Sequence, residues 1–176
     1  MGKEATLMLN NHARLVYFFN VAESVKGRKK LQKLIYILQK CRVPFKEKFQ
    51  FHFYGPYSEE LTLRVEELCN LHLIQESKED KGNYSRYNYS ITEEGQAFLN
   101  QFTLDMPNFL PHIELLQDKS SRFLELVSTM LFFADELERE AVEEKVNKVK
   151  PKQKFTEAEF ADAWLLIEQL HTIGLS

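Results

Sequence analysis

The chain is poor in cysteine, tryptophan, glycine and proline. Its 176 residues include two cysteines, one tryptophan, six glycines and five prolines. Cys41 and Cys69 form no C-x-x-C pair, so we expect no disulfide framework, and a cytoplasmic location is predicted. Six glycines are too few for a glycine-rich loop that cradles phosphate, and no P-loop motif occurs.

Neither sign of charge dominates, and long apolar runs are absent. The formal net charge is −3, which argues against a protein that coats nucleic acid, although a local basic patch remains open. No stretch reaches about 18 consecutive apolar residues, so no membrane-spanning helix and no membrane partner are expected. Residues 1–11 also lack the apolar segment of a signal peptide.

The sequence lacks the patterns of common catalytic and metal sites. Ser58 follows Gly-Pro-Tyr rather than standing in a G-x-S-x-G motif, so it is predicted to cap a helix and not to act as a nucleophile. The five histidines share no metal-ligand spacing; they are His12, His52, His72, His112 and His171. We therefore expect a non-enzymatic protein with no catalytic residue, no cofactor and no metal.

Hydrophobic periodicity predicts a mainly α-helical chain with a small β wing. The predicted order is a helix at 11–25 capped by Asn10 or Asn11, a second helix between Gly27 and Pro44, a third at 58–70, a hairpin within 71–91 and a fourth helix at 92–102. This order is typical of a winged helix-turn-helix domain, which we place at 1–104. Thr92 is predicted to cap the fourth helix, in which Gly95 is expected to cost about 1 kcal/mol relative to alanine.

A helical C-terminal extension is predicted at 105–176, packing on the first domain or on a second subunit. Its helices are expected at about 111–118, 120–137 and 156–172, and Thr156 with Glu159 forms a capping box. The middle helix is apolar on more than one face, so it is either buried centrally or paired with another chain. A homodimer through these C-terminal helices is therefore one predicted assembly.

The second predicted helix combines an apolar stripe with a basic face. Leu31, Leu34 and Leu38 lie on the stripe, and Lys33 and Tyr36 fall nearly opposite by helical spacing. Cations at a helix N-terminus, beside exposed N–H groups, could bind an anion. The candidate partner- or anion-binding residues are Arg28, Lys29, Lys30, Lys33, Tyr36 and Lys40. A solvated basic face without a ligand is the competing interpretation.

An aromatic arm follows the second helix. Phe49, Phe51 and Phe53 alternate with a glutamine, a histidine and a tyrosine. This period of two predicts a short extended segment with the phenylalanines packed inward. Gly55 and Pro56 are predicted to turn the chain. The candidate binding residues of the arm and turn are His52, Tyr54, Gly55, Pro56 and Tyr57.

These segments resemble known bacterial families. Residues 27–36, Gly-Arg-Lys-Lys-Leu-Gln-Lys-Leu-Ile-Tyr, and 51–61, Phe-His-Phe-Tyr-Gly-Pro-Tyr-Ser-Glu-Glu-Leu, resemble the YwgA-like proteins of Bacillus and its relatives. The Leu-Gln-Lys-Leu-Ile-Tyr and Tyr-Gly-Pro segments are more distantly similar to the Panacea, or SocA-like, antitoxin domain. The resemblance implies a bacterial cytoplasmic protein without known catalytic residues, and the Panacea group implies binding to another protein. The long C-terminal extension departs from that group.

Two functions follow from these features. We expect a regulatory interaction protein that binds a protein partner through the basic second helix and the aromatic arm. The alternative is a transcriptional regulator that binds DNA, in which the third helix would enter the major groove. That helix carries Glu59, Glu60, Glu66 and Glu67 against Arg64, so its charge would repel phosphates.

Overall fold

Eight helices and five strands make up the described part of the chain. A computed structural model describes residues 3–175, with side chains from residue 9 onward. The helices are α1 (Lys3–Ala22), α2 (Arg28–Lys40), α3 (Glu59–Asn70), α4 (Glu93–Leu99), α5 (Leu110–Leu116), α6 (Ser121–Ala134), α7 (Arg139–Val149) and α8 (Glu157–Ile173). The strands are β1 (Ser24–Lys26), β2 (Gln50–His52), β3 (Gly55–Tyr57), β4 (Ile74–Asp80) and β5 (Ser85–Ile91), and a 3-10 turn covers Pro151–Gln153. The prediction of a mainly helical chain is confirmed. None of the helices within 3–175 is long and apolar enough to cross a membrane.

The larger sheet has three antiparallel strands in the order β1-β5-β4. Strands β4 and β5 form the predicted hairpin, and β1 adds to it with Val25 opposite Tyr89. Hydrophobic periodicity does not indicate β1, since it joins the first helix to the second at Gly27. The predicted caps Asn10 and Asn11 are also wrong, since both residues lie inside α1. Three-residue strands carry almost no periodic signal, and β1 is stabilised by pairing with a distant segment.

Helix α2 lies at the centre of the fold. All eight residues from Leu31 to Leu38 are buried. The prediction that Lys33 and Tyr36 belong to an exposed basic face is therefore wrong, because only 4% of each residue is exposed. Strand β3 and helix α6 cover that face of α2. The amphipathic pattern identifies the most apolar stripe of a helix, but it cannot tell which elements cover the opposite side.

The side-chain caps predicted at three other helices are confirmed. Ser58 Oγ accepts a hydrogen bond from the Leu61 N–H at the start of α3, at 3.1 Å. Thr92 Oγ1 accepts one from the Gly95 N–H at the start of α4, at 2.9 Å. Thr156 forms the expected capping box of α8. Each cap joins residues three apart in the chain, and for this reason the local sequence was sufficient to predict it.

Helix α6 is buried within the chain itself. Leu124, Leu126, Val127 and Met130 are fully buried, and α2, α7 and α8 pack around the helix. The apolar surface that suggested a homodimer is thus covered by the chain's own helices. A homodimer and the domain boundary near residue 104 both stay predictions.

The aromatic arm forms a second, two-stranded sheet. Strands β2 and β3 pair with Phe51 opposite Pro56, and residues 53 and 54 make the turn between them. The prediction that Gly55 and Pro56 form the turn is wrong, since both belong to the returning strand. The prediction that Phe53 packs inward is also wrong, because it is 82% exposed. Phe51 is half-buried, with its ring centroid 5.2 Å from that of Phe132 on α6.

Candidate binding site at the hairpin and the second helix

Two buried lysines hold the turn of the β2–β3 hairpin. Lys33 extends from α2, and its ammonium donates to the carbonyl oxygen of Tyr54 and, at 3.4 Å, to that of Pro56. These backbone acceptors satisfy a cation that the surrounding protein removes from water. Burial nevertheless lowers the pKa of Lys33 to about 8.

Lys150, at the end of α7, supports the same turn from the other side. It is 7% exposed, and its Nζ donates to the carbonyl oxygen of Phe53. The same Nζ lies 3.1 Å from Oε1 of Glu125 on α6, which makes a buried ion pair. We call Lys33 and Lys150 the turn lysines. Together they bind the carbonyl groups of residues 53, 54 and 56.

Gly55 allows the hairpin to sit closely on α6. Its φ angle is +93°, a conformation that other residues rarely adopt. A Cβ atom at this position would lie 3.1 Å from Thr129 Oγ1 and 3.5 Å from Lys33 Nζ. The glycine is therefore favoured by its backbone angle and by its close approach to Thr129, whereas the distance to Lys33 is that of ordinary van der Waals contact.

The turn presents two aromatic side chains to solvent. Phe53 is 82% exposed and Tyr54 is 50% exposed, and their ring centroids lie 5.3 Å apart. The Lys29 ammonium lies 3.7 Å from the centroid of the Tyr54 ring, which is a cation–π contact. We call Phe53 and Tyr54 the hairpin tip. An apolar tip thus stands beside a cation, on a turn whose backbone is held by the turn lysines.

The three predicted cations in the first turn of α2 have different surroundings. Arg28 stacks on the Tyr87 ring at 3.7 Å and lies 3.6 Å from Glu76. Lys30 donates to the backbone carbonyl of Gln117. Lys29 has neither a carboxylate nor a carbonyl partner among residues 9–175. Arg28 and Lys30 thus already have acceptor partners, and of the three cations Lys29 is the one left without such a partner among the described residues.

The other predicted residues of α2 lie away from the hairpin tip. Tyr36 packs its ring 5.1 Å from that of Phe49, and its hydroxyl is buried without a hydrogen-bond partner among the residues that the structure describes. Burial raises the pKa of Tyr36. Lys40 forms an ion pair with Asp135 at 2.5 Å. Neither residue faces the surface that the hairpin tip presents.

The remaining predicted residues of the arm line one side of the hairpin. The His52 and Tyr57 rings lie 5.2 Å apart, and the Tyr57 hydroxyl lies 2.8 Å from Thr62 Oγ1. Pro56 is buried, and its carbonyl group is one of the two that Lys33 binds. Tyr57 therefore connects the hairpin to α3.

A cleft of about 350 Å³ opens beside the hairpin tip, between α2, α3 and the larger sheet. We call it the α2 cleft. Its apolar and aromatic lining includes Leu31, Tyr54, Tyr57, Leu61, Val65 and Tyr89. Its charged lining comprises Arg28, Lys29, Lys33, Glu66 and Glu76. Five of the predicted site residues thus share one cleft: Arg28, Lys29, Lys33, Tyr54 and Tyr57.

Sequence reasoning missed two residues of this site. Phe53 was assigned to the core because it continues an alternating pattern, but the strand ends at His52 and the turn exposes the next residue. Lys150 was not singled out, since it lies 97 residues from the carbonyl group that it binds. The one local signal was the glycine after Tyr54, because positive φ is common beside hairpin turns.

The comparison with curated proteins identifies a relative of nearly the same length. The chain is 54% identical over 166 residues to "Uncharacterized protein YwgA" of Bacillus subtilis (strain 168), and the match covers 94% of this chain and 99% of the relative. No protein-family model matches the chain. On the match to the Bacillus subtilis protein, the chain belongs to the YwgA family of bacterial proteins.

Proposed function

We propose that this protein is a non-enzymatic regulatory module that binds another protein through the hairpin tip and Lys29. The observation that carries the proposal is the 82% exposure of Phe53 on a turn fixed by two buried lysines. A large aromatic side chain in water gains free energy when a partner covers it. Because the turn is already ordered, little conformational entropy is lost on binding.

Charge indicates the chemistry of the partner. Lys29 stands against Tyr54 and has no acidic neighbour within hydrogen-bond distance among residues 9–175. Complementary charges beside an aromatic anchor favour one orientation of the partner and speed its association. The partner surface that fits is an apolar pocket bordered by a carboxylate.

Removal of the hairpin tip tests the proposal. In a pull-down from nuclease-treated native lysate, the double variant Phe53→Ala/Tyr54→Ala is expected to bind the specific partner about 30-fold more weakly, since truncation of an aromatic anchor removes most of its contact area. Tyr84→Ala is the matched control, because Tyr84 is a 61% exposed aromatic residue away from this surface. Equal capture of the same proteins by the wild type and the double variant would contradict the proposal.

Lys29 can be tested separately because it is exposed. Lys29→Glu is expected to weaken partner binding and to reduce its dependence on salt concentration. The same charge reversal at Lys33 would not test partner binding, since that side chain is buried and supports the turn. The structure thus confines the charge test of α2 to one residue.

The element order supports a winged-helix interpretation of the N-terminal half, and with it a second candidate function. The order α1-β1-α2-β2-β3-α3-β4-β5 and the sheet order β1-β5-β4 agree with a winged helix that carries an added hairpin between its second and third helices. Many such domains bind DNA through the helix that α3 would represent. The more distant resemblance to the Panacea domain favours a protein partner.

The exposed face of α3 argues against DNA as the ligand. Glu59, Glu66 and Glu67 are exposed there, and Arg64 is paired with Glu47 and Glu60. Phosphate groups approaching this face would meet net negative charge, even though Oε2 of Glu67 lies 2.5 Å from Nε2 of His12. We therefore expect no retardation of genomic DNA fragments in a low-salt gel shift. Retardation that Lys29→Glu abolishes and Tyr84→Ala preserves would instead favour the DNA-binding regulator.

A further inference from the structure

The α2 cleft has the size and lining of a small-molecule site, and it shares Lys29 and Tyr54 with the proposed partner surface. Its volume of about 350 Å³ lies at the lower end of the range for ligand pockets. Leu31, Leu61 and Val65 are buried and provide apolar contacts in the cleft. An apolar ligand of roughly ten heavy atoms would be covered by these walls.

The charged side chains in the cleft determine which polar group a bound ligand can carry. Arg28 is engaged by Glu76 at 3.6 Å and by the Tyr89 hydroxyl at 3.2 Å. Lys33 donates to the carbonyl groups of the hairpin turn. Lys29 is the cation of the lining that lacks an anionic or carbonyl partner among residues 9–175. An anionic group would therefore be bound at Lys29, at the edge of the cleft.

Glu66 limits the negative charge of the ligand. It is exposed on α3 and belongs to the lining of the same cleft. A phosphate or a longer polyanion would extend toward this carboxylate and be repelled. A single carboxylate can pair with Lys29 while the rest of the molecule remains uncharged. We propose that the α2 cleft binds a small apolar carboxylic acid, with its carboxylate at Lys29 and its body against Leu31, Leu61 and Val65.

A matched series of three ligands tests the charge requirement. The probes are 3-phenylpropionate, 3-phenylpropanamide and 3-phenylpropylamine, which share one apolar body and differ in the polar group. Titration of the full chain, followed by amide chemical shifts of the α2 and α3 residues, should give affinities for all three. We expect the acid to bind about tenfold more tightly than the amide, as a charge-assisted pair requires, and the amine to bind most weakly.

Variants at Lys29 assign that preference to the cleft. Lys29→Gln is expected to reduce the affinity for the acid about tenfold and to leave that for the amide unchanged. Lys29→Arg should retain the preference for the acid. Lys78→Gln, an exposed lysine on β4 outside the cleft, is the matched control and should behave as the wild type.

Four results with these probes and variants would overturn the proposal, and a fifth result, with a peptide, would overturn it as well. The four are equal affinity for the acid and the amide, preference for the amine, absence of saturable binding by all three probes, and an acid preference that survives Lys29→Gln. A short peptide ending in phenylalanine that binds much more tightly than 3-phenylpropionate would assign the cleft to a chain terminus and would overturn the small-molecule assignment. Binding of the acid by the Phe53→Ala variant separates this inference from the partner surface, because Phe53 does not line the cleft.

Discussion

Gly95→Ala is expected to lower the free energy of unfolding by about 3 kcal/mol, although the residue lies in a helix. A Cβ atom on Gly95 would stand 2.1 Å from the carbonyl oxygen of Leu73 and 2.8 Å from Cγ1 of Ile91. Both distances are far shorter than van der Waals contact, and the nearer atom belongs to the backbone. Helix α4 would have to move away from the larger sheet, and the Thr92 cap would be lost with it.

The usual helix propensity predicts the opposite sign. In an exposed helix, glycine to alanine stabilises by about 1 kcal/mol, and the sequence analysis expected Gly95 to carry that cost. Ala97→Gly is a matched control, because Ala97 is exposed in the same helix and should lose about 1 kcal/mol. Urea unfolding followed by circular dichroism measures both variants. A Gly95→Ala protein as stable as the wild type would show that α4 can shift without cost.

Gly95 illustrates which parts of this fold the sequence could predict. The Thr92 cap depends on a residue three positions away, and it was read directly from the chain. The carbonyl group that excludes a side chain at Gly95 belongs to Leu73, 22 residues earlier. No local pattern around Gly95 indicates that the Leu73 carbonyl group lies so close to it. Local signals therefore predicted most helices and the β4–β5 hairpin, whereas contacts between distant segments are visible only in the folded structure.

In the candidate site, too, local sequence patterns predicted some features, and contacts between distant residues were not predicted. The segments around Lys29 and Tyr54 were singled out from sequence, and both residues line the α2 cleft. Lys33 was placed in that set as an exposed cation, since helical spacing puts it nearly opposite the apolar stripe of α2. Its partners are carbonyl groups 21 and 23 residues away, which no spacing rule connects to it. Sequence patterns therefore located residues of the site more reliably than they indicated which of these residues are buried and what they contact.

The burial of Lys33 predicts a dependence of stability on pH. Its pKa falls from an ordinary value of 10.5 to about 8 in the folded chain, mainly because the ammonium is removed from water. Glu125 on α6 opposes this change, and Lys150 and Lys29 add to it. Below about pH 8 both states hold the proton, so the folded state bears the whole cost of the buried charge.

As the pH rises from about 8 to 10.5, the folded chain loses the Lys33 proton before the unfolded chain does. The unfolded state then binds more protons, so the free energy of unfolding increases with pH through this window. Two thiols act in the opposite direction, those of buried Cys41 and half-buried Cys69, because desolvation raises the pKa of each to about 11. The profile of the wild type is therefore a sum of opposing contributions, and a difference between variants is needed to isolate Lys33.

Lys33→Met provides that difference. It keeps an unbranched side chain of similar length and removes the titrating group, although the Tyr54 and Pro56 carbonyls lose a donor at every pH. We expect the stability of the wild type relative to Lys33→Met to rise by about 2 kcal/mol between about pH 7 and about pH 10, whichever protein is more stable at neutral pH. Urea unfolding at both pH values measures this, with Lys78→Met as the exposed control whose difference should stay constant. A constant difference for Lys33→Met would mean that the ammonium is solvated in the folded chain, and the turn lysines would then no longer explain how the hairpin tip is held.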